Sequence, residues 1–320
     1  MILKRIVQFS LFFCSVNTGI IGANTADIET IIEGADLGDK LILSGQGNLL
    51  YEYVRVDSLG IKAQEDDKLF IAKLSEKETA VIRNSERIKL NITFSDNKIL
   101  CDEISWNKLP TGRWFVQEWF WAYNGEKMDL LRLDGLADNG LIMPIGSIRT
   151  NNDIPLHRYD PRYYGLNIFG TPVATFLQGS LNDKIVSNLE IIGEENIEGF
   201  KCNVVRGNIN DTNETITAWL APDLLYRPIR IEHTSLSQTI EISNHFKVHS
   251  EGVWFPDQIV KKKYYFDSNT GKKMLYIRET LTIDNDFKIN IDIPPGVFEI
   301  EFPIGLSIYD YRMGKSIEVK

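Results

Sequence analysis

Few side chains of this sequence are spaced for catalysis or metal binding. His245 and His249 are four residues apart, within a run that alternates apolar and polar residues. On a β-strand that spacing separates the two side chains by roughly 13 Å, too far to share one metal ion. No serine-hydrolase, zinc-protease, P-loop or dinucleotide-binding motif is present. The sequence therefore predicts a noncatalytic protein with no metal and no cofactor. The remaining enzymatic alternative is a pair of distant carboxylates brought together by the fold, as in glycosidases.

Cys101 and Cys202 are the cysteines outside the N-terminal segment that contains Cys14. Cys14 follows two phenylalanines, whereas a lipoprotein signal requires small residues before its cysteine, so lipidation is not expected there. In an oxidising compartment Cys101 and Cys202 could form a disulfide that closes a long loop. The alternative is two buried free thiols that pack as small hydrophobic groups. Neither cysteine has the CxxC spacing or the nearby histidine of a zinc site.

The most apolar segments are candidate walls of a binding cavity. Residues 115–123 carry large side chains at both parities, which predicts a strand covered on both faces. Residues 136–156 lack a clear period and contain two prolines, which predicts a long loop that could close over a cavity as a lid. The alternatives are plain core packing for the strand and a loop folded onto the core. The predicted lipid-binding wall consists of Phe115, Trp119, Trp121, Tyr123, Leu141, Ile142, Met143 and Phe176.

A basic run, Lys261 to Lys263, stands out in a chain of 320 residues with a formal net charge of −9. Such a run could meet anionic lipid head groups. The alternative is a set of charges that keeps an edge strand from pairing with other chains. The acidic balance of the whole chain argues against nonspecific nucleic-acid binding, so no nucleic-acid partner is predicted.

The second half of the chain has the spacing of successive β-hairpins. Residues 239–249 alternate strictly, with Ile240, Ile242, Phe246 and Val248 on one face. Consecutive strands of this kind pair most often as a meander, and a twisted sheet of about ten strands must curl. The predicted fold class is mainly β with a few short helices (α+β), a curved antiparallel half-barrel with helices on the concave side. The predicted strands are 189–192, 199–205, 215–220, 227–233, 239–249, 258–266 and 273–283.

The first half combines a short helix with further strands. Thr25 or Asp27 is predicted to cap a helix whose apolar stripe is Ile28, Ile31, Ile32 and Ala35. A second short helix is predicted after Thr171-Pro172, with Phe176 in its apolar stripe. The predicted strands lie within 41–56, interrupted by a turn at 44–48, within 80–99, with a turn at 95–98, and at 115–123 and 127–133.

Residues 1–23 have the layout of a secretory signal peptide. Lys4 and Arg5 form a positive start, 6–16 is mostly apolar, and Ala23 is a small residue at the expected cut. The segment is too short and interrupted for a membrane span, and no later run is long enough to cross a bilayer. The alternative is a buried N-terminal helix or strand. The predicted organisation is a signal peptide at 1–23 and one half-barrel domain at 24–320, in a periplasmic or extracellular protein without a transmembrane segment after signal removal.

Several short motifs in the second half resemble those of the outer-membrane lipoprotein-sorting proteins, the periplasmic lipoprotein-carrier (LolA/LolB-like) superfamily. The resemblance covers about residues 160–310, while the N-terminal half matches only in layout. Its residues are Asp160-Pro161-Arg162 with Gly165, the hairpin at 193–205, Ala218 to Pro222, Tyr226 to Arg230 with Glu232, Gly252 to Pro256, Phe298 to Gly305, and Asp310.

The resemblance implies a half-barrel whose apolar cavity holds the acyl chains of a lipoprotein in transit. The sequence thus predicts an exported binding protein for a lipid, an acyl chain or a lipid-modified peptide, with lipid or lipoprotein transfer as its context. The alternative is a protein-interaction module of the cell envelope, with the same fold and an envelope protein as partner. A shared fold does not by itself transfer function.

Overall fold

The computed structural model describes residues 27–57, 81–108, 114–135, 142–150, 159–210, 212–249, 252–266 and 270–320. The predicted signal peptide and Leu141 lie outside these residues. The described helices are α1 (Ile28–Asp39), α2 (Pro161–Tyr164) and α3 (Val173–Leu177), with 3₁₀ turns at Pro222–Leu224 and Pro295–Phe298.

Strands make up most of the described chain. In sequence order they are β1 (Ser44–Asp57), β2 (Val81–Ser95), β3 (Lys98–Lys108), β4 (Trp114–Tyr123), β5 (Lys127–Gly135), β6 (Ile142–Thr150), β7 (Ser180–Leu181), β8 (Lys184–Ile197), β9 (Phe200–Ile209), β10 (Glu214–Ala221), β11 (Arg227–Thr234), β12 (Gln238–Val248), β13 (Trp254–Phe266), β14 (Lys273–Ile283), β15 (Lys288–Ile289), β16 (Ser307–Asp310) and β17 (Lys315–Glu318).

Two antiparallel meanders, β2 to β6 and β8 to β14, are joined through β1. This strand pairs with β2 on one side and with β14 and β15 on the other. Beyond β6 the sheet continues with β16, in parallel, and then with β17. The result is one large, open, curved sheet with few helices, so the predicted mainly β fold class is confirmed. The seven strands predicted after residue 187 all form, with ends that differ by a few residues.

The main core lies between α1, α3 and one face of the sheet, which we call the inner face. Ile31 of α1, Phe176 of α3 and Tyr51 of β1 are fully buried there. Asp27 caps α1 as predicted, because its side chain accepts a hydrogen bond of 2.8 Å from the Thr30 N–H. The opposite, outer face carries a smaller cluster on β9, β10 and β11.

The turn predicted at residues 44–48 is wrong, because these residues form the first part of β1. Gly45 and Gly47 belong to the strand and leave room for two aromatic rings. A Cβ atom on Gly45 would lie 2.6 Å from the Phe94 ring, and one on Gly47 would lie 2.8 Å from the Phe287 Cα. The glycines therefore permit close packing and do not mark a turn.

Gly47→Ala is expected to lower the free energy of unfolding by about 2 kcal/mol, because the added methyl group overlaps the backbone of Phe287, which cannot rotate away. Urea denaturation measures the change. Gly296→Ala is the matched control, since a Cβ atom there meets nothing within 4 Å. Equal stability of the two variants would contradict this account of β1.

The lid predicted within 136–156 is also wrong for residues 142–150, which form β6 between β5 and β16. Pro144 is tolerated because β16 pairs only with 146–148, so the proline lies outside the part of β6 that is paired on both sides.

The single apolar face predicted for β12 is interrupted. The register shifts between His245 and Phe246, and Asn244 is buried while Val248 is about half exposed. This bulge changes the direction of the side chains that follow it.

Candidate functional site

The basic run lies in the middle of the sheet. Residues 261–263 belong to β13, which pairs with β12 on one side and with β14 on the other. The interpretation of these lysines as edge-strand charges is therefore wrong. Successive side chains of a strand point to opposite faces, so Lys261 and Lys263 lie on the inner face and Lys262 on the outer face.

Both inner lysines face a buried carboxylate, Glu279 of β14. The Nζ atoms of Lys261 and Lys263 lie 3.5 and 3.8 Å from its Oε1 atom. Its Oε2 atom accepts hydrogen bonds from the hydroxyl groups of Tyr164, at 2.7 Å, and Tyr51, at 3.2 Å. Strands β1, β13 and β14 and helix α2 thus contribute to one hydrogen-bonded and charged cluster on the inner face.

Glu279 remains ionised in this environment. Burial alone would raise the pKa of its carboxyl group, but Lys261, the Tyr164 hydroxyl, Lys263 and the Tyr51 hydroxyl together hold that pKa below its ordinary value. A carboxyl group with a lowered pKa stabilises the fold above its ordinary pKa, and this contribution is lost as the pH falls through the lowered value.

A cavity of about 580 Å³ opens beside this cluster on the inner face, a size typical of sites for small ligands. Aromatic and aliphatic side chains form most of its wall, and two lysines and one glutamate form the charged part. The lining residues are Tyr53, Tyr163, Tyr164, Phe169, Gly170, Ile242, Lys261, Lys263, Ile277 and Glu279.

Helix α2 and the turn after it form the side of the cavity opposite the sheet. Asp160 accepts hydrogen bonds from the Arg162 backbone N–H, at 2.9 Å, and from the Arg162 guanidinium. Gly165 lies so close to the sheet that a Cβ atom would be 2.6 Å from Ile259. Phe169 has a φ of 50° and places its ring 5.5 Å from that of His233 on β11. These contacts hold the aromatic wall against the sheet.

Among the predicted wall residues whose side chains the structure describes, Trp119, Trp121, Tyr123 and Phe176 lie elsewhere and do not line this cavity. Phe176 and Tyr123 are core residues, and Trp121 packs against the same core with its ring 5.5 Å from that of Trp119. The backbone of Phe115 lies on β4, and that of Ile142 and Met143 on β6. A ligand-contacting role for these residues stays a prediction.

Cys101 and Cys202 are both buried and free, so the structure shows the free-thiol alternative and the predicted disulfide is not formed. The reason is the sheet itself: Cys101 packs in the inner core, whereas Cys202 packs with Val204 and Trp219 in the outer cluster. Burial raises the pKa of both thiols, that of Cys202 to about 11, which disfavours the reactive thiolate.

Glu279→Gln is expected to flatten the acid side of the stability profile. The stability of the wild-type protein falls from pH 5 to pH 3, because protons begin to remove the contribution of the ionised carboxylate below its ordinary pKa, whereas the variant has no such contribution to lose. Urea midpoints at both pH values measure the difference. Glu299→Gln, at an exposed position, is the control for the removal of one negative charge. A wild-type profile no steeper than that of Glu279→Gln would contradict the assignment.

Comparison with known proteins finds solved structures of low similarity and does not assign the chain to a protein family. No protein-family model and no curated protein matches the chain. Similar solved structures include a DUF1329 family protein from Desulfovibrio piger, at 10% identity and a TM-score of 0.38, covering 86% of this chain and 98% of that one. They also include MucB in complex with MucA(peri), at 10% identity and a TM-score of 0.21, covering 83% of this chain and 100% of that one. Likenesses at this level identify no ligand.

No helix in the described part of the chain combines the length and the apolar character needed to cross a membrane.

Proposed function

We propose that the chain is an exported, noncatalytic binding protein that holds a lipid acyl chain in the inner-face cavity. The observation that carries this proposal is the cavity itself, about 580 Å³ between the sheet and the α2 segment, with a mainly aromatic and aliphatic wall. Tyr53, Tyr163, Phe169 and Ile277 contribute the apolar surface of this wall.

Acyl chains suit such a wall because burial of each methylene group contributes about 0.8 kcal/mol. A chain of a dozen or more methylene groups can therefore reach useful affinity even though part of this energy offsets the loss of ligand freedom. A lipid-modified peptide would present the same chain. The acyl chain, and not a particular peptide sequence, therefore defines the class of ligand.

The electrostatics of the cluster support binding over catalysis. A general base works best with a pKa near the working pH. The pKa of Glu279 is instead held below its ordinary value, and its carboxylate already accepts two tyrosine hydroxyl groups and faces two lysines. This carboxylate is positioned to organise the wall of the site and is poorly suited to remove a proton from a substrate.

The sequence supports the cellular context of the proposal. Residues 1–23 have the layout of a signal peptide, and residues 160–310 resemble the lipoprotein carriers. Export would place the cavity in a compartment where lipids and lipoproteins must cross an aqueous gap between membranes.

The test is to purify the exported chain without detergent from its own compartment, extract it with organic solvent and analyse the extract by mass spectrometry. A stoichiometric acyl lipid is the expected result. A clean extract, together with failure of the folded protein to take up hexadecanoic acid or a lipopeptide, would overturn the proposal and favour a module that docks a partner protein.

A further inference from the structure

We propose that the ligand of the inner-face cavity carries an anionic head, a carboxylate or a phosphate, which Lys263 holds together with Lys261. This inference rests on the proposed function and specifies the ligand further: a single acyl chain with an anionic oxygen head, in preference to a neutral or cationic amphiphile.

The charges of the cavity lining favour an anionic head. Among the described residues that line the cavity, the charged side chains are Lys261, Lys263 and Glu279. Glu279 already accepts two hydroxyl groups and faces both ammonium groups. A cationic head would be repelled by the lysines, whereas an anionic head would be attracted to them.

The geometry around Glu279 leaves Lys263 able to bind a ligand oxygen. Its Oε2 atom is occupied by two tyrosine hydroxyl groups, and its Oε1 atom is shared by two Nζ atoms at 3.5 and 3.8 Å. These separations exceed those of close charge-assisted hydrogen bonds, about 2.7–2.9 Å. An ammonium group has three N–H donors, so Lys263 can keep its attraction to Glu279 and still donate to a ligand oxygen.

The two lysines are positioned within the cavity wall. The side chains of Lys261 and Lys263 are 22% and 32% exposed, so they lie in the wall and not on the open surface. Partial burial strengthens charge interactions relative to bulk water. The register of β13 against β14 also shifts between Lys263 and Tyr264. A bulge of this kind changes the direction of the side chains beside it.

Lys262 provides a natural control. It lies between the two inner lysines in sequence but points to the outer face of the same strand. Removal of its charge changes the net charge of the chain by the same amount without changing the cavity wall. A general attraction of anions to basic surface would respond equally to all three lysines.

The experiment compares probes with one chain length and different heads. Hexadecanoate, hexadecyl phosphate and hexadecan-1-ol are measured by equilibrium dialysis below their aggregation limits, and inorganic phosphate is measured alone. The wild-type protein is expected to bind both anionic amphiphiles at least tenfold more tightly than the alcohol. Inorganic phosphate is expected to bind too weakly to compete with either.

Variants of Lys262 and Lys263 show which lysine is responsible for the preference for anionic heads. Lys263→Gln is expected to reduce hexadecanoate binding about tenfold more than it reduces hexadecan-1-ol binding. Lys263→Arg is expected to keep the preference, and Lys262→Gln is expected to behave as wild type. Circular dichroism and urea midpoints confirm that each variant is folded.

The outcomes separate the two proposals. Equal binding of the acid and the alcohol, or loss of the preference in Lys262→Gln, would overturn the anionic head and leave the acyl-binding proposal in place. Binding of inorganic phosphate as tight as that of hexadecyl phosphate would overturn the lipid class in favour of a free anion. No binding of any hexadecyl probe by folded wild-type protein would overturn both proposals.

Discussion

Arg227→Met is expected to lower the free energy of unfolding by about 3 kcal/mol. Arg227 is 5% exposed, and its guanidinium donates hydrogen bonds to the carbonyl oxygens of Trp254 and, at 3.1 Å, Gly38. These contacts join the C-terminal end of α1 to the start of β13. Burial lowers the pKa of Arg227 to about 10, so the side chain remains charged at neutral pH and complements the negative end of the helix dipole.

Urea denaturation measures the free energy of unfolding of Arg227→Met and of the control variant Lys40→Met. Lys40 also lies at the end of α1, but its ion pair with Asp36 is exposed, and such pairs contribute about 0–1 kcal/mol. A loss in Arg227→Met no greater than that in Lys40→Met would show that the buried guanidinium does not secure α1 to the sheet.

Ile277→Glu is expected to weaken acyl-chain binding about 100-fold, equivalent to about 2.7 kcal/mol. Ile277 lines the cavity directly opposite Lys263 on the neighbouring strand. The new carboxylate would replace apolar wall surface that contacts the acyl chain. It would also pair with Lys263, which would then be less available to the anionic head of the ligand. Equilibrium dialysis with hexadecanoate and hexadecan-1-ol measures the effect, and binding of the neutral alcohol is expected to fall as well.

Leu236→Glu is the matched control for this change. Leu236 is 81% exposed and lies outside the cavity, so the same charge introduced there is expected to leave binding as in the wild-type protein. If a folded Ile277→Glu variant retained hexadecan-1-ol as well as Leu236→Glu does, the cavity would not be the acyl-binding site.

Local patterns in the sequence predict much of the sheet. The alternation and turn residues after residue 187 identify β8 to β14 because each of these strands pairs with a neighbour close in sequence. The turn near Asp96 and the strand before it are predicted for the same reason, but β3 extends to Lys108, well beyond the predicted limit at residue 99.

The errors occur where long-range packing decides the structure. Gly45 and Gly47 suggest a turn locally, but the ring of Phe287, far away in sequence, needs the space they leave. β6 has no clear period of its own, and part of its pairing comes from β16, near the other end of the chain. No local pattern contains either contact.

The residues that line the cavity cannot be identified from the sequence for the same physical reason. The partners of Glu279 come from β1, α2 and β13, and the sequence does not show that Tyr51 and Tyr164 meet one carboxylate. One signal was available: Lys261 and Lys263 occupy alternate positions of a predicted strand, so they had to share a face. The sequence pattern could not show that this face was the inner one.

The most direct test of the acyl-binding cavity is photocrosslinking with a hexadecanoic acid that carries a diazirine in its chain, followed by peptide mass spectrometry. The cavity described here predicts adducts on Tyr163, Tyr164, Phe169 or Ile277, with competition by unlabelled hexadecanoate. Adducts confined to Trp119 and Trp121, or a pattern that unlabelled hexadecanoate does not displace, would contradict it.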